Sequence, residues 1–269
     1  MNDTNKPKPG RDGSWGPAAR DWAAAQEGTM SPIFKAVLAR VGVGPGKAVL
    51  DVGCGTGLFC LLASRMGAEV AGIDASPGQI EVARERLPNA DLRQGEMEEL
   101  PFDSDVYDLV SCCNALQYST DTLQALREMI RVAKPGATVS ILTGGRTGPH
   151  GMRAFFAGLS ALREQKPEAT PLPPRPLFAD PDALGRYMAE AGLTLYEEKE
   201  VECDWDYPNL ETALKGGLSF APGVRAIRDL GKDAVYEAVA AELEQYKTAS
   251  GGYHIPNMAR YVLGRVKAN

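Results

Sequence analysis

The residues best suited to chemistry cluster early in the chain. Around Asp51 the sequence reads "AVLDVGCGTGLF", placing Gly53, Gly55 and Gly57 in a GxGxG pattern directly after an apolar run. Glycine loses more conformational freedom on folding than any other residue. Three in five positions imply backbone at positive φ or a partner within backbone contact. A helix beginning just behind such a turn offers free N–H groups and partial positive charge. Asp51 ahead of the glycines suits an ammonium or sulfonium group better than a pyrophosphate. Asp74, at the end of "EVAGID", can accept from two ribose hydroxyls and discourages a phosphate there. Its alternative role, capping the next helix, is equally open to Ser76. In "QGEMEELPFDSD", Glu96 can accept from an adenine amino group while the Met97 backbone meets the ring. Glu98 and Glu99 read as solvated loop charges.

Acid–base candidates are few. The two histidines are His150, in "GRTGPHG", and His254, in "GGYHIP". Each is a candidate general base, because imidazole titrates near neutrality; a surface or structural role is the competing reading for both. Tyr118, after "NALQ", is a candidate for the substrate pocket. Trp15 and Trp22 are candidates for an N-terminal lid, with ordinary packing as the alternative. The five cysteines, Cys54, Cys60, Cys112, Cys113 and Cys203, form no CxxC pair and several sit in apolar runs. They read as buried reduced thiols. With only two histidines to complement them, a zinc site is not expected.

The elements that must position these residues follow from periodicity. "AVLDV", "EVAGI", "ADLRQ", "VYDLVSCC" and "ATVSILT" read as buried strands. Helices are expected over Gly57–Met66, Pro77–Leu87 (capped by Ser76) and Thr120–Val132. Ahead of them, Trp15 to Val41 is helical, with Ser31 capping a fresh start at Pro32. This alternation predicts an α/β fold: a Rossmann-like, mainly parallel sheet with helices on both faces. Beyond Thr143 the rhythm changes. A helix is expected around Phe155–Glu164, then the proline-rich "PEATPLPPRPL". A helix over Asp180–Ala191 and a strand over Thr194–Cys203 return to the sheet. Helices at Glu211–Leu218 and Asp233–Tyr246 precede a final antiparallel strand, "MARYVLGRV". We therefore expect one domain over 15–269 after a disordered arm at 1–14. Insertions at 144–178 and 206–250 would form a substrate cap.

Bulk properties exclude some partners. The net charge of −6, with 24% charged residues, argues against a nucleic-acid backbone as main partner. No apolar run reaches the roughly 18–20 residues needed to span a bilayer, so no membrane partner is expected. The polar start lacks a signal core, and a cytoplasmic location is expected. Oligomeric state is not legible.

Taken together, "VLDVGCGTG", "GIDAS" and "GEMEELPFDSDVYDLV" followed by "LREMIRVAKPGATVSIL" resemble the class I S-adenosylmethionine-dependent methyltransferases, in their small-molecule and quinone-type branch. The resemblance implies S-adenosylmethionine as cofactor. Gly53, Cys54, Gly55 and Gly57 would border its methionine part, and Asp51 would help hold its amino group. Asp74 would bind the ribose, with Ala75 beside it, and Glu96 with Met97 the adenine. Asn114 and Ala115 would lie near the methyl, and Trp22 would complete the cofactor contacts. Relatives often carry Asp where Glu96 stands. The implied reaction is SN2 methyl transfer to a small organic metabolite, O-methylation ahead of C- or N-methylation. "NALQY" lacks the Asn-Pro-Pro-aromatic run of enzymes that methylate adenine N6 or protein glutamine. A nicotinamide-dependent oxidoreductase, whose glycine spacing differs, and a non-catalytic cofactor-binding protein are the alternatives.

Overall fold

The computed structural model describes residues 13–164, 180 and 182–268. The sheet grows around β1 (Ala48–Val52), in which four of five residues are buried, as a strand covered on both faces requires. β1 pairs in parallel with β2 (Glu69–Asp74) and β4 (Tyr107–Cys113), β2 with β3 (Asp91–Gln94), and β4 with β5 (Ala133–Gly144). The final strand β9 (Met258–Arg265) inserts antiparallel between β5 and β6 (Thr194–Glu202), giving the order β3-β2-β1-β4-β5-β9-β6. The chain leaves β1 toward β2 and β3, then returns on the other side at β4. The reversal opens a crevice at the carboxyl ends of β1, β2 and β4, where ligands bind in folds of this type.

Helices cover both faces. α1 (Ser31–Val41) and α2 (Leu58–Arg65) pack on one side, where Ile33, Phe34, Val37, Leu38 and Phe59 share a core with Val49 and Leu263. α3 (Pro77–Arg86) follows β2. On the other side α4 (Thr122–Val132) buries Ala125, Leu126, Met129 and Val132, the i, i+1, i+4, i+7 stripe of an amphipathic helix. Asp121 caps it by accepting the Gln124 N–H at 2.9 Å.

The two regions expected as insertions share a further apolar core. α5 (Met152–Glu164), α7 (Leu210–Gly217), α8 (Ala221–Leu230) and α9 (Lys232–Leu243) pack with a ribbon of β7 (Trp205–Tyr207) and β8 (Tyr253–Ile255). Gly158 makes the contact of α5 with α9 possible, since a Cβ there would stand 2.8 Å from the Ala238 carbonyl oxygen. Trp15 and Trp22 pack against this cluster. α6 (Ala183–Glu190) sits on the α4 face of the sheet.

Several local expectations need correction. The stretch before α1 is helical but irregular: Ala19–Asp21 is α, Trp22–Gln26 a π-turn and Glu27–Met30 a 3₁₀ turn. Ser31 lies within this continuous run and makes no capping bond; neither does the Ser76 side chain. β5 begins at Ala133, ahead of "KPG", because Ala133 pairs with Tyr107 before a register shift. α8 and the β7–β8 ribbon were not expected; three-residue strands are too short to show an alternation. The expected arm at 1–14 and the proline-rich run lie largely outside the described residues. Among the described residues no helix is long and apolar enough to cross a membrane, and no cluster of metal-ligating side chains occurs. All five cysteines are free, and only Cys113 is not fully buried.

Candidate functional site

The turn after β1 is built by positive-φ glycines, Gly53 at 74°, Gly55 at 54° and Gly57 at 85°. The Ile73 carbonyl accepts the N–H groups of Gly53 (2.7 Å) and Cys54 (3.0 Å), fastening the turn to β2. Asp74 fastens it again: one carboxylate oxygen accepts the Gly55 N–H at 2.9 Å, the other the Ser76 N–H at 2.8 Å. Gly53 also leaves room for the chain after β4, because a Cβ there would collide with the Ala115 side chain. Gly57 differs. It does not line the crevice, and a Cβ on it would meet Ala83 at 3.2 Å. Its task is the left-handed start of α2 and close packing on α3, which corrects the expectation that it borders the ligand.

Asp51 is 1% exposed and lines the crevice floor. Its carboxylate accepts the Ser111 hydroxyl at 2.6 Å and the Cys113 thiol, both neutral donors. Burial therefore dominates and pushes its pKa up to about 7. Burial likewise raises the Asp74 pKa above the usual carboxylate range, against the pull of its two backbone donors.

The walls come from four segments. After β4, Asn114 adopts φ 53°, a left-handed conformation in which a non-glycine residue is uncommon. Its carbonyl accepts from Gln117 at 2.6 Å. Ala115 and Tyr118 continue this wall. Glu96, Met97 and Glu98 line the opposite side after β3. Glu98 is no free loop charge, since it accepts the Thr120 N–H at 2.5 Å. Ala75 and Gln79 contribute from β2–α3; the Gln79 amide donates to the Trp15 carbonyl at 3.1 Å, while its own buried side-chain carbonyl has no hydrogen-bond partner among the described residues. The N-terminal segment closes the top. Trp15 meets Trp22 edge-to-face at 5.5 Å and Tyr118 at 5.6 Å between ring centroids. Glu27, Asp51, Asp74, Glu96 and Glu98 line the crevice, and among its described lining residues there is no lysine, arginine or histidine.

Of the residues expected in the site, Trp22, Asp51, Gly53, Cys54, Gly55, Asp74, Ala75, Glu96, Met97, Asn114, Ala115 and Tyr118 all meet in this crevice. The histidines do not. His150 is half-buried beside Gly144, and desolvation lowers its pKa. His254 is exposed on the β7–β8 ribbon, 2.8 Å from Asp206, which raises its pKa. Glu27 and Gln79 were missed. Each lies in an apparently ordinary helical stretch, and only the tertiary fold brings it to the crevice.

The chain is similar in sequence and fold to known methyltransferases. The family model described as "Methyltransferase domain" matches residues 50–141, the span from β1 to β5. The chain is 32% identical over 166 residues to a ubiquinone biosynthesis O-methyltransferase of Xanthomonas campestris, covering 60% of this chain and 68% of that one. It is 30% identical over 167 residues to an uncharacterized protein of Mycobacterium bovis, and spans 59% of that relative's length. A SAM-dependent methyltransferase from Aquifex aeolicus has the same fold, with a TM-score of 0.53 and 21% identity over 68% of this chain and 92% of the other. The chain belongs to the class I S-adenosylmethionine-dependent methyltransferases. S-adenosylmethionine is the cofactor of that class.

The residues present fit that cofactor. Asp51 is a buried carboxylate whose two hydrogen-bond donors are neutral, turned toward a crevice with no cation among its described lining residues. The glycine turn offers bare backbone, and the Gln79 carbonyl is a buried acceptor awaiting a donor.

Proposed function

We propose that this methyltransferase acts on a small organic metabolite that is neutral or cationic, with a phenolic oxygen favoured as acceptor over carbon or nitrogen. The crevice lining carries this reading: five carboxylates, no cation among the described residues, and an aromatic wall of Trp15, Trp22 and Tyr118. An anionic acceptor would find no cationic side chain among the described lining residues to pair with. A flat, uncharged ring would find aromatic edges and faces. The names of relatives support the class as well: ubiquinone biosynthesis O-methyltransferases at 32–33% identity and a demethylmenaquinone methyltransferase at 33%.

The cofactor, when bound, supplies an already activated methyl group. In this reading Asp51 and the turn at Gly53–Gly55 hold its charged end, Asp74 and Ala75 its ribose, and Glu96 with Met97 its base. Asn114 and Ala115 shape the wall beside the reacting end. The chain's remaining task is to bring an acceptor into line and keep water out, and positioning of that kind can carry much of the rate. With both histidines off the crevice wall, neither is the base in this reading. Helices α5 and α7–α9, packed against Trp15 and Trp22, act as the acceptor-side cap.

A labelled-methyl screen over phenols, quinols, amines and carboxylic acids tests the proposal. Label in phenols or quinols, and none in matched carboxylates, is expected. Transfer confined to carboxylic acids or to nucleic acid overturns it.

A further inference from the structure

Glu27 is 5% exposed, although it is a carboxylate in a surface segment. One of its oxygens accepts the Thr56 hydroxyl at 2.5 Å and the Leu58 N–H at 3.2 Å. The other pairs with the Arg86 guanidinium. Arg86, the last residue of α3, also donates to the Thr56 carbonyl at 3.0 Å and to the Ala23 carbonyl at 3.2 Å. Three separate pieces of chain are thus closed into one polar ring: the N-terminal segment, the glycine turn and the end of α3. Thr56, wholly buried, stands between Gly55 and Gly57, two of the positive-φ glycines of the turn.

The turn is therefore held from two sides. Asp74 holds it from the sheet, through the Gly55 N–H. Glu27 holds it from above, through Thr56 and the first N–H of α2. A buried carboxylate paired with arginine and two further donors is costly to separate, because removal of any partner leaves a charge or donor unsatisfied. The N-terminal segment cannot lift away without stripping the turn of its acceptor. That same segment carries Trp15 and Trp22, which close the crevice.

We propose that Glu27 is a positioning residue that couples the N-terminal segment to the glycine turn, so that the cover and the cofactor loop open and close as one unit. The proposal rests on the reading of this crevice as the cofactor site. Cofactor release requires the ring to open, and the ring's strength sets how long the cofactor stays. Its ionic part, Glu27 to Arg86, and its neutral part, Glu27 to Thr56, act on the same carboxylate. Substitutions at Thr56 and Glu27 are therefore not additive.

Two measurements test this. Hydrogen exchange in the ligand-free protein reads the coupling directly. Glu27→Ala should speed exchange of the amides of 23–30 and of 55–58 together, while β1 and β4 keep their protection. Stopped-flow release of S-adenosylhomocysteine, followed by tryptophan fluorescence in a Trp205→Phe background, reads the consequence. Glu27→Ala and Thr56→Val should each release it about tenfold faster, and Thr56→Ser should restore the parent rate. Arg20→Ala, which breaks the exposed pair of the same segment with Glu85 on α3, should stay within about twofold of the parent, as exposed pairs contribute little. If Glu27→Ala does not fold, the Thr56→Val and Thr56→Ser pair decides. Faster exchange in only one of the two segments, or unchanged release in Thr56→Val, overturns the coupling. Failure of the parent protein to bind S-adenosylhomocysteine instead overturns the cofactor reading, and the exchange pattern then judges the coupling alone.

Discussion

Asp51 and Ser111 face each other across the pairing of β1 with β4, the hydroxyl donating to the buried carboxylate at 2.6 Å. Neither this hydroxyl nor the Cys113 thiol brings a positive charge, so the Asp51 carboxyl keeps its proton up to about pH 7 in the ligand-free protein. A cationic ligand group beside it favours the ionised form and expels that proton.

The sign of the pH dependence follows. The unfolded chain loses the Asp51 proton near pH 4, while the folded one keeps it to about 7. Between those values the folded state binds more protons, so this group's contribution to stability falls as pH rises and then levels off. Relative to the parent, Asp51→Asn should gain stability across that window, by a few kcal/mol at most. Urea unfolding at pH 5 and pH 8 checks it. Affinity for S-adenosylhomocysteine should rise with pH up to about 7 in the parent and rise less in Asp51→Asn, where Asp74 is the remaining buried carboxyl with a raised pKa, as calorimetry in buffers of different ionisation enthalpy will show.

The glycines of the turn separate into two kinds. Gly53→Ala faces both a positive φ and a collision with Ala115, and should cost about 3 kcal/mol of stability as well as most of the cofactor affinity. Ala115→Gly in the same chain relieves the collision but not the φ, so about half the loss should return. Gly57→Ala, facing Ala83 away from the crevice, should lower the melting temperature and leave affinity within about twofold. Thermal unfolding alongside calorimetry distinguishes the cases.

His150→Ala and His254→Ala should leave the methyl-transfer rate within about twofold at saturating acceptor. Neither ring lines the crevice, and the His254 ring is held by Asp206 on an exposed ribbon. A loss of a hundredfold or more in either variant, the scale expected of a general base, would show that the ring reaches the acceptor.

Much of this is legible in the sequence. The strand run from Ala48 to Thr143 is visible because buried parallel strands are apolar throughout, and the glycine turn and Asp74 mark their own places. Local spacing could not show that Gly57 serves helix packing, since its neighbours Ala83 and Leu87 come from α3 and the residue that caps it. Glu98 looked like a solvated charge because its partner, the Thr120 N–H, is remote in sequence. Glu27 was hidden for the same reason: the burial that makes it unusual depends on Thr56 and Arg86, which only the fold assembles. His150 and His254 were candidates by residue type alone, and type does not decide which side of a sheet edge a loop takes.

The central claim is that this crevice, with Asp74 at the end of β2, holds the methyl donor. Calorimetric titration with S-adenosylhomocysteine, of the parent and of Asp74→Ala, tests it most directly. One molecule bound per chain, with affinity falling at least tenfold in Asp74→Ala, is the predicted result. No binding to the folded parent, equal affinity in the variant, or preferential binding of NADH would contradict it.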